Sequence, residues 1–189
     1  MNPIIKIIDS FLKEGQKGVL ELGCGNGDLI SLIGKGYPHL KKIVAADYFN
    51  EPKDLPNNIR FIKQNIENLQ LNDTFDLVIL NQVFEHMKNP LGLIEKIKTI
   101  LNKNGRILII VPNRYGFDNE AKIHLPEHGK HYFIWDKDSL QFSLERLGFI
   151  CRFYNLFVAA SHNKILKYIP AILRIQNPNL TCVAMLDHD

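Results

Sequence analysis

The chain has 189 residues, enough to bury one full core and too few for a second domain of ordinary size. Hydrophobic residues make up 46% and charged residues 23%, the balance of a globular protein, which excludes a disordered or fibrous chain. The net charge of +3 comes from scattered basic residues, so no nucleic-acid footprint is expected. Cys24, Cys151 and Cys182 form neither a CxxC pair nor a ligand spacing, which argues against a disulfide framework or structural zinc and for a reducing cytoplasm.

The opening stretch MNPIIKIIDSFLKEGQ is interrupted by Lys6, Asp9 and Lys13, so it reads as neither a signal peptide nor a membrane span. A short amphipathic helix within residues 1–17 is predicted, with Ile4, Ile5, Ile8, Phe11 and Leu12 on one face. Short apolar runs then follow at 18–22, 43–46, 59–62, 75–80 and 106–111, separated by polar turns or helix-period stretches. Such alternation predicts βαβ units and a parallel sheet covered on both faces. The connection 48–58 contains Pro52 and Pro56, and 63–74 is equally brief, so crossover helices there are stunted. A clear helix is predicted over 91–101, starting after Asn89-Pro90 and stopping before Asn104-Gly105. A second runs over 138–147 and ends at Gly148.

Beyond it, β-like runs at 149–158 and 180–186 flank a helical insertion at 159–178, bent at Pro170. Two last strands joined by a long excursion suggest an antiparallel closing strand. The insertion places Ile165, Tyr168, Ile169 and Ile172 on one face, with Lys164, Lys167 and Arg174 elsewhere. Packing on the domain or in a homodimer is the default reading; a substrate lid or a peripheral membrane contact is the alternative. No linker or repeat divides residues 1–189, which are read as a single domain.

The informative segment is Val19-Leu20-Glu21-Leu22-Gly23-Cys24-Gly25-Asn26-Gly27-Asp28, a strand running into a Gly-x-Gly-x-Gly turn and a helix. Such a turn borders the ligand crevice of an open α/β sheet. Asp47, at the end of the second strand, can accept both hydroxyls of a ribose, each bond contributing about 1.5–3 kcal/mol. A dinucleotide site requires Gly-x-Gly-x-x-Gly, yet Asp28 stands three residues after Gly25. A carboxylate there repels a pyrophosphate. It suits instead a phosphate-free nucleoside carrying ammonium and sulfonium charges.

ELGCGNG followed by Asp47 resembles the first two motifs of the class I S-adenosylmethionine-dependent methyltransferases, most of all the small-molecule group that includes quinone and sugar methyltransferases. The resemblance continues through FDLVILNQVFEHMKNP (75–90), LNKNGRILIIVPN (101–113) and HYFIWDKDSLQFSLERLGF (131–149). It implies a Rossmann-like three-layer sandwich with a mostly parallel seven-stranded sheet and an antiparallel last strand. It also implies S-adenosyl-L-methionine as cofactor, with S-adenosyl-L-homocysteine as product. Glu21, Gly23, Gly25 and Gly27 would border the methionine part, Asp47 the ribose and Tyr48 the adenine. Asn65 would meet the adenine amine where the family more often has Asp, with Ile66 on the ring. Asn81 and Gln82 would lie near the transferred methyl.

Methyl transfer from a sulfonium is an in-line displacement, and positioning the acceptor supplies about 7–11 kcal/mol in favourable cases. A hydroxyl acceptor also gains about 10²–10⁴-fold from a general base. His86, in Phe84-Glu85-His86-Met87, is the first candidate, with Glu85 to orient it; a helix-start residue that only caps or packs is the plainer reading. His124, His128 and His131 form a second cluster with Glu127, from which His131 is taken as the other catalytic candidate. Pro and Gly interrupt that cluster and no helical H-x-x-x-H frame exists, so no metal site is expected. Tyr132, Phe133 and Trp135 read as packing residues. No Asn/Asp-Pro-Pro-aromatic motif and no Pro-Cys nucleophile appears. The expected activity is methylation of a small or medium-sized acceptor at oxygen, a sugar, polysaccharide precursor or quinone-like molecule. The alternatives are a cofactor-binding partner subunit with little activity of its own and a nicotinamide-dependent oxidoreductase, the latter opposed by Asp28.

Overall fold

The computed structural model describes residues 2–12, 15–16, 18–68, 70–116, 131–156 and 179–187. The expected insertion at 159–178, and His124, Glu127 and His128 with it, lie outside the described residues. Seven strands form one sheet: β1 (Gly18–Leu22), β2 (Lys42–Asp47), β3 (Ile59–Lys63), β4 (Phe75–Asn81), β5 (Leu101–Pro112), β6 (Phe149–Tyr154) and β7 (Asn179–Leu186). Their spatial order is β3-β2-β1-β4-β5-β7-β6. The first five run parallel, and β7 is antiparallel to both β5 and β6. The Rossmann-like sandwich with an antiparallel last strand is thus present.

Alternation along the central strands fills two cores. Leu20, Leu22, Val78 and Leu80 face one side, under α3 (Pro90–Ile100) and α4 (Lys137–Glu145). Val19, Leu77 and Ile79 face the other, under α1 (Pro3–Asp9) and α2 (Asp28–Gly36). Both faces of β1 and β4 are buried, as parallel strands with crossovers on each side require. The strand order reverses at β1, where β2 and β4 diverge, and this opens a crevice at the carboxyl ends.

Several boundaries differ from the sequence reading. Helix α1 ends at Asp9, where Ser10 Oγ donates to the Ile7 carbonyl at 2.7 Å; Phe11 and Leu12 are buried beyond it, and Ile7 joins the apolar face. Helix α3 begins at Pro90, one residue before the expected 91, with Asn89 Oδ1 accepting from Gly92 N at 3.0 Å, and ends at Ile100. Leu101 already pairs with Phe75, and Asn102 Nδ2 donates to Asp76 Oδ1 at 2.8 Å, so strand pairing takes over before Asn104-Gly105 can act as a helix stop. Helix α4 starts one residue earlier than expected because Asp136 and Ser139 form a reciprocal capping box. Strand β6 stops at Tyr154, short of the expected 158.

Candidate functional site

Strand β1 delivers the chain into its glycine turn with Gly23, Gly25 and Gly27 at φ of +70°, +55° and +79°. Gly23 is required twice over, since a Cβ there would stand 2.4 Å from Val83 Cγ2 just beyond β4. Gly27 caps α2, and its Cβ would meet Leu55 Cδ2 at 2.6 Å. The 48–58 connection, which holds no helix, therefore packs directly beneath the turn.

Asp47 ties these pieces together. Its Oδ2 accepts from Gly25 N at 2.9 Å, and its Oδ1 accepts from Phe49 N and Asn50 N at 2.8 Å each. Gly23 N also donates to the Ala46 carbonyl at 2.7 Å. The carboxylate thus fixes the glycine turn and the loop after β2, and it retains lone-pair capacity on Oδ2 for a ligand hydroxyl.

A crevice of about 1070 Å³ opens over this turn, at the upper end of the range for ligand pockets. Of the sequence-derived cofactor residues, Glu21, Gly23, Gly25, Asp47, Tyr48, Asn65, Ile66, Asn81 and Gln82 line it; Gly27 does not, standing behind the turn against Leu55. Glu21 is 2% exposed, and its Oε2 has no hydrogen-bond partner among the described residues. Burial pushes its carboxyl up to about 8, and the nearby Asp28 and Asp47 carboxylates add to the rise. Gln82 sits at φ +56°, the only positive-φ non-glycine among the described residues, where its N–H donates to the Ile110 carbonyl at 2.8 Å. Such strain is characteristic of sites where a side chain must be aimed. Asn65 Oδ1 accepts from Glu67 N at 2.9 Å, so the residue also opens the 3-10 turn Ile66–Asn68.

His86 lines the crevice at the end of a second 3-10 turn, Phe84–His86. His131, 45 residues on, meets it edge-to-face with ring centroids 4.6 Å apart. What brings them together is the Glu85 carbonyl, which accepts from Tyr132 N at 2.9 Å and Phe133 N at 3.3 Å. Phe84, Trp135 and Phe133 stack beneath, with centroids 5.1 and 5.5 Å apart, so the packing role read for these aromatics holds for Phe133 and Trp135. Tyr132 lines the crevice instead. The Glu85 side chain is 1% exposed, and burial pushes its carboxyl up to about 7.

Sequence reasoning missed several lining residues. Phe49 is 88% exposed and packs edge-on to Tyr48 at 5.0 Å. Asn2, which caps α1, and Ile4 within it, together with Leu29 and Leu32 of α2, close one side. Glu67 Oε1 accepts from Lys88 N at 3.0 Å and Asn89 N at 3.2 Å, holding the start of α3. Only the apolar pair Tyr48-Phe49 directly after a strand-end acid carried a signal in the sequence.

Curated relatives include an (S)-coclaurine N-methyltransferase from Thalictrum flavum, 28% identical over 108 residues, covering 52% of this chain and 29% of the relative. A malonyl-[acyl-carrier protein] O-methyltransferase from Halalkalibacterium halodurans is 24% identical over 149 residues, covering 73% and 49%. The chain therefore spans less than half the length of these relatives. Among solved structures, the plantazolicin methyltransferase BpumL in complex with SAH and a monoazolic desmethylPZN analog superposes with a TM-score of 0.73 at 14% identity, covering 99% of this chain and 82% of that one. The methyltransferase domain profile matches residues 2–152, and the chain belongs to that family, whose members draw their methyl group from S-adenosylmethionine.

Proposed function

We propose that this chain binds S-adenosylmethionine in the crevice above the glycine turn and transfers its methyl group to an oxygen of a small or medium-sized acceptor. The observation that carries the reading is Glu21, a buried carboxyl with one oxygen unpartnered among the described residues, in an acid-rich wall shared with Asp28 and Asp47. A cationic amino acid moiety supplies the missing partner, whereas a diphosphate would meet Asp28 at the first turn of α2. S-adenosylmethionine supplies, when bound, a methyl on a sulfonium that leaves as a neutral thioether. In this arrangement Asp47 holds the ribose and the exposed Tyr48-Phe49 pair flanks the adenine. Gln82 and Asn81 then orient the reacting end.

Oxygen is favoured over nitrogen by the Glu85, His86 and His131 cluster. A hydroxyl must lose its proton as the O–C bond forms, and the His86 imidazole on the crevice wall, with the His131 ring packed against it, is the group to accommodate that loss. A sugar, a polysaccharide precursor or a quinone-like molecule each presents such a hydroxyl. The three cysteines are unbridged, in keeping with a reducing compartment such as the cytoplasm. No helix among the described residues is long and apolar enough to cross a membrane.

The test is incubation with methyl-labelled S-adenosylmethionine and fractionated metabolite extracts, read by mass spectrometry. A labelled O-methyl product formed only with the protein is expected. Tight NAD binding without any response to S-adenosylhomocysteine would overturn the reading.

A further inference from the structure

We propose that Glu85, His86 and His131 form a binding site for a divalent transition-metal ion, of the zinc or cobalt type, beside the crevice at His86. One donor atom from each residue lies within 4.8 Å of the other two. By plane geometry some point then lies within about 2.8 Å of all three, against metal–ligand distances of about 2.0–2.2 Å, so a shift of under about 1 Å per side chain closes the site. Two imidazoles and one carboxylate match the three-protein-ligand sets of catalytic zinc and related ions, which keep a position open for a further ligand. Magnesium and calcium prefer oxygen-only sets and fit poorly.

A second observation points to a ligand independently of the clustering. Both carboxylate oxygens of Glu85 are buried and without a hydrogen-bond partner among the described residues, and the nearest cationic-capable atom, His86 Nε2, stands 4.0 Å from Oε1. A buried carboxylate left so is costly unless something compensates it. The frame is also pre-positioned. His86 ends a 3-10 turn whose N–H donates to the Val83 carbonyl at 3.0 Å, and the strap carrying His131 is fastened to the Glu85 carbonyl and braced by the Phe84–Trp135 stack. Directly bound side chains held on such supports need little reorganisation to take a metal.

His86 belongs to both the cluster and the crevice lining, so the ion's open position is available to an acceptor oxygen there. A hydroxyl bound to the ion would give up its proton to water in the open crevice, the imidazoles then serving as ligands rather than as the base, and the oxyanion held by the cation would attack the methyl carbon as the sulfur leaves as a thioether. For that acceptor role the inference rests on the methyl-transfer reading above and deepens it; for metal binding itself it does not. The acceptor class it selects is one with an ionisable hydroxyl.

The test uses the whole chain, stripped with chelator and returned to chelator-free buffer. It is titrated separately with Zn²⁺, Co²⁺ and Mg²⁺ by calorimetry, with visible absorption followed for Co²⁺. One saturable equivalent of Zn²⁺ and Co²⁺ is expected, with Mg²⁺ far weaker and a cobalt spectrum characteristic of nitrogen–oxygen ligation. His131→Ala and Glu85→Gln should each weaken Zn²⁺ by at least the roughly 10–100-fold that loss of even an outer-shell partner produces. S-adenosylhomocysteine affinity measured on the same samples checks the fold and separates the two readings. Lost metal binding with cofactor binding intact in the native chain overturns this inference alone, and the reverse overturns the methyl-transfer reading alone. Zn²⁺ affinity unchanged in His131→Ala, which remains interpretable even if Glu85→Gln does not fold, also overturns the site.

Discussion

Cofactor binding should release a proton, and Glu21 should be its source. In the free protein burial holds this carboxyl at about 8, so at pH 7 it is mostly neutral. An ammonium group placed against it favours the ionised form and draws the value back toward the ordinary 4.5. Affinity then follows the ionised fraction of the free protein, which is about one half at pH 8 and about one in a hundred at pH 6. The association constant for S-adenosylhomocysteine should fall about 50-fold between those pH values, or about 2.3 kcal/mol. Calorimetry at pH 6, 7 and 8, repeated in phosphate and Tris buffers, measures both the affinity and the number of protons released. Close to one proton is expected at pH 6 and about half a proton at pH 8. Glu21→Gln should abolish the release, flatten the profile and weaken binding at pH 8 by about 10–150-fold, the range for a charge-assisted hydrogen bond. A wild-type affinity independent of pH, with no proton released, would refute the reasoning.

The same group sets a pH dependence of stability. Its folded value lies above the unfolded one, so its contribution is full below about 4.5 and is lost as pH rises toward 8; the ligand-free melting temperature should fall across that window by wild type more than by Glu21→Gln. Differential scanning fluorimetry from pH 5 to 9 checks the sign. Asp47→Ala should weaken S-adenosylhomocysteine at least tenfold and also cost about 1–3 kcal/mol in urea unfolding, because three backbone N–H groups lose their acceptor. Unchanged affinity would remove Asp47 from the ribose. Gly27→Ala should cost about 1–3 kcal/mol by the same assay, through a strained φ and collision with Leu55; an unshifted midpoint would contradict the packing account. His86→Ala should lower turnover by about 10²–10⁴-fold while S-adenosylhomocysteine affinity changes little, and equal turnover would reduce His86 to a packing residue.

The half of the site made of contiguous residues was readable from the sequence. Glu21 through Asp28 carries its own geometry, since a turn needing three positive-φ residues leaves few options besides glycine, and Asp47 follows from strand length. The half that depends on distant contacts was not. Nothing local indicates that the Glu85 carbonyl captures the 132–133 backbone, so the pairing of His86 with His131 is not legible in the sequence, where His131 groups with His124 and His128. Likewise Asp47 read as a ligand group alone, whereas it also fastens the turn it faces. Helix α3 shows tertiary pairing overriding a local stop signal, because Leu101 and Asn102 bond to β4 before the Asn-Gly pair is reached.

A crystal grown with S-adenosylhomocysteine tests the central claim most directly. The account requires the ligand's amino group on the Glu21 carboxylate and its ribose hydroxyls within hydrogen-bond distance of Asp47, with the sulfur directed toward Asn81 and Gln82. Density for the ligand elsewhere, or an ammonium remote from Glu21, would contradict it.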